Sequence, residues 1–308
     1  MLSKKVKIFV AGHNGMVGSS IIQSLKEKKF KKIITISKKK LNLLDQNKTF
    51  NFLKKAKPDI VIIAAAKVGG ILNNNLNRAQ FIYENTSIQN NLIHGSYLAK
   101  VKKLIFLGSS CIYPKYCKQP MKEEYLLSGK LETTNEPYAI AKIHGMKMCE
   151  NYNKQYKTNY FSIMPSSLYG PNDNYDLKNS HVIPALLKKM YDAKIKNKKR
   201  VIVWGTGKPK REFLHVKDLS DFVVKLIHKN PKKRVLNVGY GEDISIKNLS
   251  YLIKSIVGYN GKIIFDKKKP DGVMRKLLDS QYAKTAGFKV KINLKKGLIE
   301  TFRHKFSI

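Results

Sequence analysis

The 308-residue chain predicts an α/β fold, a doubly wound parallel sheet with a smaller C-terminal lobe. Three observations lead there. Short apolar runs alternate with helical patterns through the first half of the chain. One run, Asp59-Ile-Val-Ile-Ile-Ala-Ala-Ala66, is apolar almost without a break, as a strand covered on both faces must be. The first run, Val6-Lys-Ile-Phe-Val-Ala11, leads directly into Gly12-His-Asn-Gly-Met-Val-Gly18, three glycines at a strand-to-helix turn.

That turn dictates what it can hold. The first glycines permit a tight turn and let backbone N–H groups approach a pyrophosphate. The last lets helix and strand pack closely, and the helix N-terminus favours the anion. The helical spacing of Ile21, Ile22 and Leu25 completes the unit, so a dinucleotide is the expected ligand. Residues 32–36 form the second strand. A free ribose 2′-hydroxyl is usually met by an acid after this strand, but here Ser37-Lys-Lys-Lys40 follows. Cations suit a 2′-phosphate, so NADP is favoured over NAD; the plain alternative is three lysines among many.

A helix is expected at 46–55, then the apolar strand, whose carboxyl end opens into Lys67-Val-Gly-Gly70, where such sheets bind ligands. Residues 78–99 read as a long helix able to supply a dimer face, with Asn85 as a surface polar residue. The fourth strand, 104–108, ends in Ser109-Ser-Cys-Ile-Tyr-Pro114. The loop over 115–134 is long for a connection, which points to substrate contact. A helix follows to about 156, with Pro137 in its first turn, where the missing N–H costs nothing. A strand is expected at 160–164.

Past Pro165-Ser-Ser-Leu-Tyr-Gly-Pro171 the alternation loosens. Expected there are a helix at 181–191, a strand at 201–205, a basic loop at 207–215 and a helix at 218–228. A strand at 235–239 rejoins the main sheet, followed by a helix at 246–257, a short strand at 262–265 and a charged loop at 271–276. A dinucleotide-binding domain is therefore placed at 1–168, with return of the chain near 212–240. The remainder, 169–308, is mainly a substrate-binding lobe.

The net charge is +39, from 60 Lys+Arg against 21 Asp+Glu, and such a field attracts polyanions. The lysines are spread along the whole chain, so a compositional bias with solvated side chains accounts for much of it. No stripe of aromatics interleaved with arginine marks a stacking platform, and nucleic acid is not the expected partner. Three cysteines, Cys111, Cys117 and Cys149, have no framework spacing and suggest a reducing compartment. No run approaches the roughly 20 apolar residues of a membrane helix, and the first is too short for a signal peptide. A soluble cytoplasmic protein is expected.

The chemistry centres on Glu136-Pro-Tyr-Ala-Ile-Ala-Lys142. Tyr138 and Lys142 stand one helical turn apart and project from the same face. An ammonium beside a phenol should lower the phenol's pKa, making Tyr138 a proton donor to a carbonyl under reduction. A hydroxyl at Ser109 could bond the same carbonyl. Taken alone, Tyr-x-x-x-Lys fits a surface pair equally well; its weight comes from the glycine turn upstream.

Together these segments resemble the extended short-chain dehydrogenase/reductase family, and within it the branch that epimerises and reduces GDP-4-keto-6-deoxy-D-mannose. The resemblance is carried by Gly12 to Gly18, Asn42-Leu-Leu-Asp45, Ala64-Ala-Ala-Lys-Val-Gly-Gly-Ile71, Phe106-Leu-Gly-Ser-Ser-Cys-Ile-Tyr-Pro114 and Thr134-Asn-Glu-Pro-Tyr-Ala-Ile-Ala-Lys142. It continues through Asn179-Ser-His-Val-Ile-Pro-Ala185, Arg211-Glu-Phe-Leu-His-Val216 and Lys269-Pro-Asp-Gly272. The glycines and Tyr-x-x-x-Lys are generic to the superfamily, whereas Ser-Ser-Cys-Ile-Tyr-Pro and Asn-Ser-His-Val-Ile-Pro are specific to the branch.

The resemblance implies a Rossmann-type fold, NADP(H) as cofactor, a GDP-sugar substrate and a homodimer. It implies 3,5-epimerisation and 4-keto reduction, with Ser109, Tyr138 and Lys142 as the reductase triad. Cys111 matches the epimerisation base and His181 its acid. By the same likeness the cofactor would touch Gly12, His13, Asn14, Gly15, Met16, Val17 and Gly18, then Lys38, Lys39, Lys40, Leu41, Asn42 and Leu43. Further along it would meet Leu107, Gly108, Ser109 and Ser110, Lys142, the run Pro165, Ser166, Ser167 and Leu168, and His181. Substrate contacts carry over to Lys189, Trp204, Arg211, Asp271 and Lys276.

Five positions depart from the branch. Lys189 stands for Arg and loses the planar fork. Asn14 replaces an Arg that would help hold a 2′-phosphate, Ser166-Ser167 replaces Thr-Asn, and Lys217 replaces Asp. Two competing readings remain: a nucleotide-sugar 4-epimerase or dehydratase, which needs no Cys111/His181 pair, and a nucleic-acid-binding protein on a reductase scaffold.

Overall fold

The computed structural model describes residues 5–269 and 271–307; Pro270, inside the Lys269–Gly272 segment, lies outside them. The first half runs β1 (Lys7–Ala11), α1 (Met16–Glu27), β2 (Lys32–Ile34), α2 (Gln46–Ala56), β3 (Ile60–Ile63), α3 (Ile71–Leu76), α4 (Arg78–Leu98), β4 (Lys103–Leu107), α5 (Glu136–Tyr156) and β5 (Tyr160–Pro165). The second half runs β6 (Ser167–Tyr169), α6 (Val182–Ile195), β7 (Arg200–Trp204), β8 (Lys210–His215), α7 (Val216–Leu226), β9 (Val235–Val238), β10 (Asp243–Ser245), α8 (Ile246–Val257), β11 (Lys262–Asp266), β12 (Arg275–Lys276), α9 (Gln281–Thr285) and α10 (Leu294–Phe306).

The main sheet has the order β2-β1-β3-β4-β5-β9, with every pair parallel. Its strand order reverses between β1 and β3, which leaves a crevice at their carboxyl ends. β3 and β4 are buried along their whole length, as their unbroken apolar runs require. One apolar cluster fills the space under α1, α7 and α9; a second lies under α2, α4 and α5. Gly145 lets α5 lie close, since a Cβ there would stand 2.6 Å from both the Phe106 ring and the Gln89 side chain. The buried Lys103 ammonium donates to the carbonyls of Leu226, Ile227 and Lys229, 2.9 Å from each, capping the carboxyl end of α7.

The smaller lobe is built around β8, which pairs with β6, β10 and β12, and around the parallel pair β7–β11. A third apolar cluster joins α6, α8 and α10. No helix among the described residues is long and apolar enough to cross a membrane.

The structure corrects several expectations. The basic loop at 207–215 contains strand β8, because three neighbours supply the hydrogen bonds that its mixed sequence hides. The charged loop at 271–276 ends in the two-residue strand β12. Asn85 is fully buried: its amide donates to the Lys67 carbonyl and accepts from the Lys67 N–H, clamping the chain just past β3. β2 stops at Ile34, and α3, α9 and α10 were not anticipated.

Candidate active site

The glycine turn sits at the β1–α1 end of the crevice. Gly12 has φ +85°, and a Cβ there would lie 2.5 Å from the Ala65 nitrogen. A Cβ on Gly18 would stand 2.1 Å from the Gly12 carbonyl oxygen. A Cβ on Gly15 would be only in ordinary contact, 3.6 Å from the Gly12 oxygen; its N–H donates back to Gly12 at 3.2 Å, and no side chain among the described residues caps the start of α1. These features form a cradle of backbone at a free helix N-terminus, which fits a pyrophosphate. Lys38, Lys39 and Lys40 are exposed on the turn after β2, where the far ribose of a dinucleotide would end. At the other end of the crevice the buried Ser166 hydroxyl has no protein partner, and Gly108 is packed against the Met164 sulfur. The residues present therefore fit a dinucleotide along their whole expected span.

Next to that crevice, two residues past the end of β4, stands Ser109, whose Oγ accepts from the Cys111 N–H at 3.3 Å and so starts a short 3₁₀ turn. The turn buries Cys111. Across from it, the first turns of α5 present Tyr138 and Lys142. The Lys142 Nζ donates to the Leu107 carbonyl at 2.7 Å and lies 5.6 Å from the Tyr138 ring centre. Burial pulls the Lys142 ammonium down to about 8, and the adjoining Cys111 pushes it back.

One electrostatic expectation is overturned. Tyr138 is not lowered: burial raises its pKa, the Cys111 side chain adds to the rise, and only the Ser109 hydroxyl opposes it. Cys111 is raised as well, again by burial, against the pull of Lys276, Ser109 and Lys142. In both cases the cost of placing a charge in a low-dielectric site exceeds what the neighbours return.

The remaining sites lie on the lobe. His181 precedes α6 as its N-cap residue, open to the cleft yet crowded enough for desolvation to lower its pKa. The chain just before it touches the loop after β3, where the Gly70 N–H donates to the Asn179 carbonyl at 3.0 Å. No hydrogen bond among the described residues links His181 to Tyr138 or Cys111. Trp204 is 50% exposed at the end of β7, between the ammonium groups of Lys189 at 5.6 Å and Lys269 at 5.4 Å from its ring. Arg211 on β8 and Lys276 on β12 are register partners. Burial brings Arg211 down to about 10 and lowers Lys276; Asp271 and Glu132 offset the first, Cys111 and Glu132 the second. Asp271 has a structural task as well, since its carboxylate accepts from Thr206 N at 2.7 Å and Thr206 Oγ1 at 2.8 Å.

The sequence pattern of the NAD dependent epimerase/dehydratase family matches residues 8–239. The chain belongs to this family. Among its members, a GDP-L-fucose synthase of Escherichia coli (strain K12) is 48% identical over 308 residues, covering 97% of this chain and 96% of its own. A putative GDP-L-fucose synthase 2 of Arabidopsis thaliana is 49% identical over 302 residues, covering 98% and 92%. A solved GDP-mannoheptose C4 reductase from Campylobacter jejuni with NADP bound superposes with a TM-score of 0.90 at 37% identity, covering 99% of each chain. The structure also brings Glu132, which the sequence reading did not single out, within electrostatic reach of Arg211 and Lys276. Its one signal was an acid shortly before the Tyr138 helix in a chain with only 21 acids.

Proposed function

We propose that this protein converts GDP-4-keto-6-deoxy-D-mannose to GDP-L-fucose by 3,5-epimerisation followed by NADPH-dependent reduction at C4. The observation that carries this reading is the buried Cys111 beside the Ser109–Tyr138–Lys142 group, because a simple ketone reductase needs no such thiol. The full-length likeness to the fucose synthases supports it.

In this reading the C4 ketone acidifies the hydrogens at C3 and C5. Cys111 as thiolate removes one, leaving an enolate, and His181 returns a proton from the opposite face with inversion. Ser109 and Tyr138 bind the C4 oxygen, and Tyr138 donates its proton as that oxygen becomes an alkoxide. NADPH supplies hydride to C4 when bound. Lys142 holds the nicotinamide ribose, and Arg211 with Lys189 meets the diphosphate beside Trp204. Residues 1–168, with the return near 212–240, form the cofactor domain and 169–308 mainly the substrate lobe. Exposed Tyr83 on α4 and Ile140 on α5 fit a homodimer face, and three free cysteines fit the cytoplasm.

Incubation with GDP-4-keto-6-deoxy-D-mannose and NADPH tests this, following absorbance at 340 nm and product stereochemistry by NMR. GDP-L-fucose is expected. Oxidation of NADPH with the D-configured ring retained would sink the epimerase assignment. The likeness to the GDP-heptose reductase motivates a second arm with a 4-keto GDP-heptose. A higher kcat/KM there would move the substrate, not the chemistry.

A further inference from the structure

Two loops meet beside the cleft, one from the main sheet and one from the lobe. The first follows β3. Its base is held by Asn85, which bonds both the N–H and the carbonyl of Lys67. Farther out, from the short helix α3, the buried Asn74 side chain donates from Nδ2 to the Gly69 carbonyl at 2.7 Å and to the Gly70 carbonyl at 3.0 Å. A peptide group is planar and trans, so its carbonyl and its N–H point in opposite directions. By holding the Gly69 carbonyl, Asn74 therefore aims the Gly70 N–H away from α3. That N–H donates to the Asn179 carbonyl at 3.0 Å.

The second loop lies between β6 and α6, and Asp176 organises it. Its carboxylate accepts from the Lys178 N–H at 3.1 Å and from Asn179 Nδ2 at 2.5 Å. Its carbonyl accepts from the N–H groups of Asn179 at 2.9 Å and Ser180 at 2.7 Å. This turn presents the Asn179 carbonyl to Gly70. The fit leaves no room, since a Cβ on Gly70 would stand 2.9 Å from the Ser180 carbonyl oxygen. Gly70 has an ordinary φ of −68°, so an added methyl would act through that contact and not through backbone strain. Two residues past Asn179 comes His181, whose own carbonyl accepts from the Ala185 N–H at 3.0 Å in the first turn of α6. Its backbone is thus held by the helix on one side and by the bridge from Gly70 on the other.

We propose that Asn74 is a positioning residue for His181: by aiming the Gly70 N–H at the Asn179 carbonyl, it fixes where the imidazole stands over the hexose. The inference rests on His181 being the acid of the epimerisation. In the step it serves, an imidazolium N–H bond breaks and a C–H bond forms with the electron pair of the enolate. The C4 ketone is restored, and nothing is oxidised. Proton transfer to carbon fails when the donor is displaced by about one ångström. Cys111 can still return a proton to the face it left, so exchange with solvent continues without inversion.

The test is product stereochemistry in D2O, with GDP-4-keto-6-deoxy-D-mannose and NADPH supplied. NMR gives the share of reduced product that carries deuterium at C3 or C5 yet keeps the D configuration. In Asn74→Ala and in Gly70→Ala that share should rise at least about threefold, with the KM for NADPH within about twofold of the parent. His181→Ala should show the same rise, and adding Asn74→Ala to it should change nothing further. Asn74→Ala removes the hold and Gly70→Ala wedges the bridge open, so either variant reads out if the other fails to fold. An unchanged share overturns the proposal whatever the fall in rate, because packing damage slows exchange and inversion together. A further rise on the His181→Ala background overturns it as well. Failure of the underlying assignment looks different: His181→Ala itself would then keep the parent share.

Discussion

Burial raises the Tyr138 pKa, so at neutral pH the phenol keeps its proton until a developing alkoxide can take it. A raised pKa thus suits a donor. The proposed base is in the opposite position, since burial alone would leave Cys111 protonated and inert. Acid and base sit on different residues, so the two half-reactions should separate. Tyr138→Phe is expected to lower NADPH oxidation by roughly 10²–10⁴-fold while C3 and C5 still exchange with D2O, read by absorbance and NMR. Cys111→Ser should do the reverse to exchange, abolishing it while NADPH binding, measured by fluorescence, is unchanged. Tyr138 and Lys142 were legible because a single helical turn separates them. Glu132 was not, because an acid in a loop acquires its meaning only from Arg211 and Lys276, which reach it through the fold.

At the level of elements, the glycine turn is the most constrained piece. Gly18→Ala would put a methyl group against the Gly12 carbonyl and force the cradle apart. The KM for NADPH should rise at least about tenfold in steady-state kinetics, with the melting temperature falling only modestly. β1, β3 and β4 were legible as strands because burial on both faces writes one apolar run per strand. β8 was read as a loop because its first two residues, Lys210 and Arg211, are charged and not buried, while its remaining four are buried but include the polar Glu212 and His215. β10 and β12, of three and two residues, are too short to show a period.

Across the whole molecule, Glu212 ties the sheet of β8 to the main sheet. Its carboxylate accepts from Gly241 N at 2.6 Å and Leu278 N at 3.0 Å, joining β8 to the chain past β9 and past β12. Burial holds its pKa up at about 7. A carboxyl with a raised folded-state pKa favours folding when protonated, so the contribution of Glu212 to stability is fullest at acid pH and is lost as pH rises toward 7. That fall is the contribution of Glu212 alone, about 3 kcal/mol between pH ~4.5 and ~7, opposite in sign to that of the lowered carboxylates Asp59 and Asp221, and Glu212→Gln should remove it in urea titrations at stepped pH. The +39 net charge acts on the same scale through self-repulsion. Raising NaCl from about 20 to 300 mM should therefore raise the melting temperature by a few degrees; a flat response would mean that the surface lysines do not repel one another.

The parallel sheet, the glycine turn and the Tyr138–Lys142 pair on one helix face follow from local patterns: apolar runs, glycines before a helix, a four-residue spacing. Such patterns are written in neighbouring residues, and the chain alone determined them. The sign of the pKa shifts at Tyr138 and Cys111, the strand pairing of β8 with β12 and the company of Glu132 were decided by tertiary structure. Desolvation and charge–charge coupling depend on what surrounds a group in space, and here those surroundings come from segments that lie far apart along the chain.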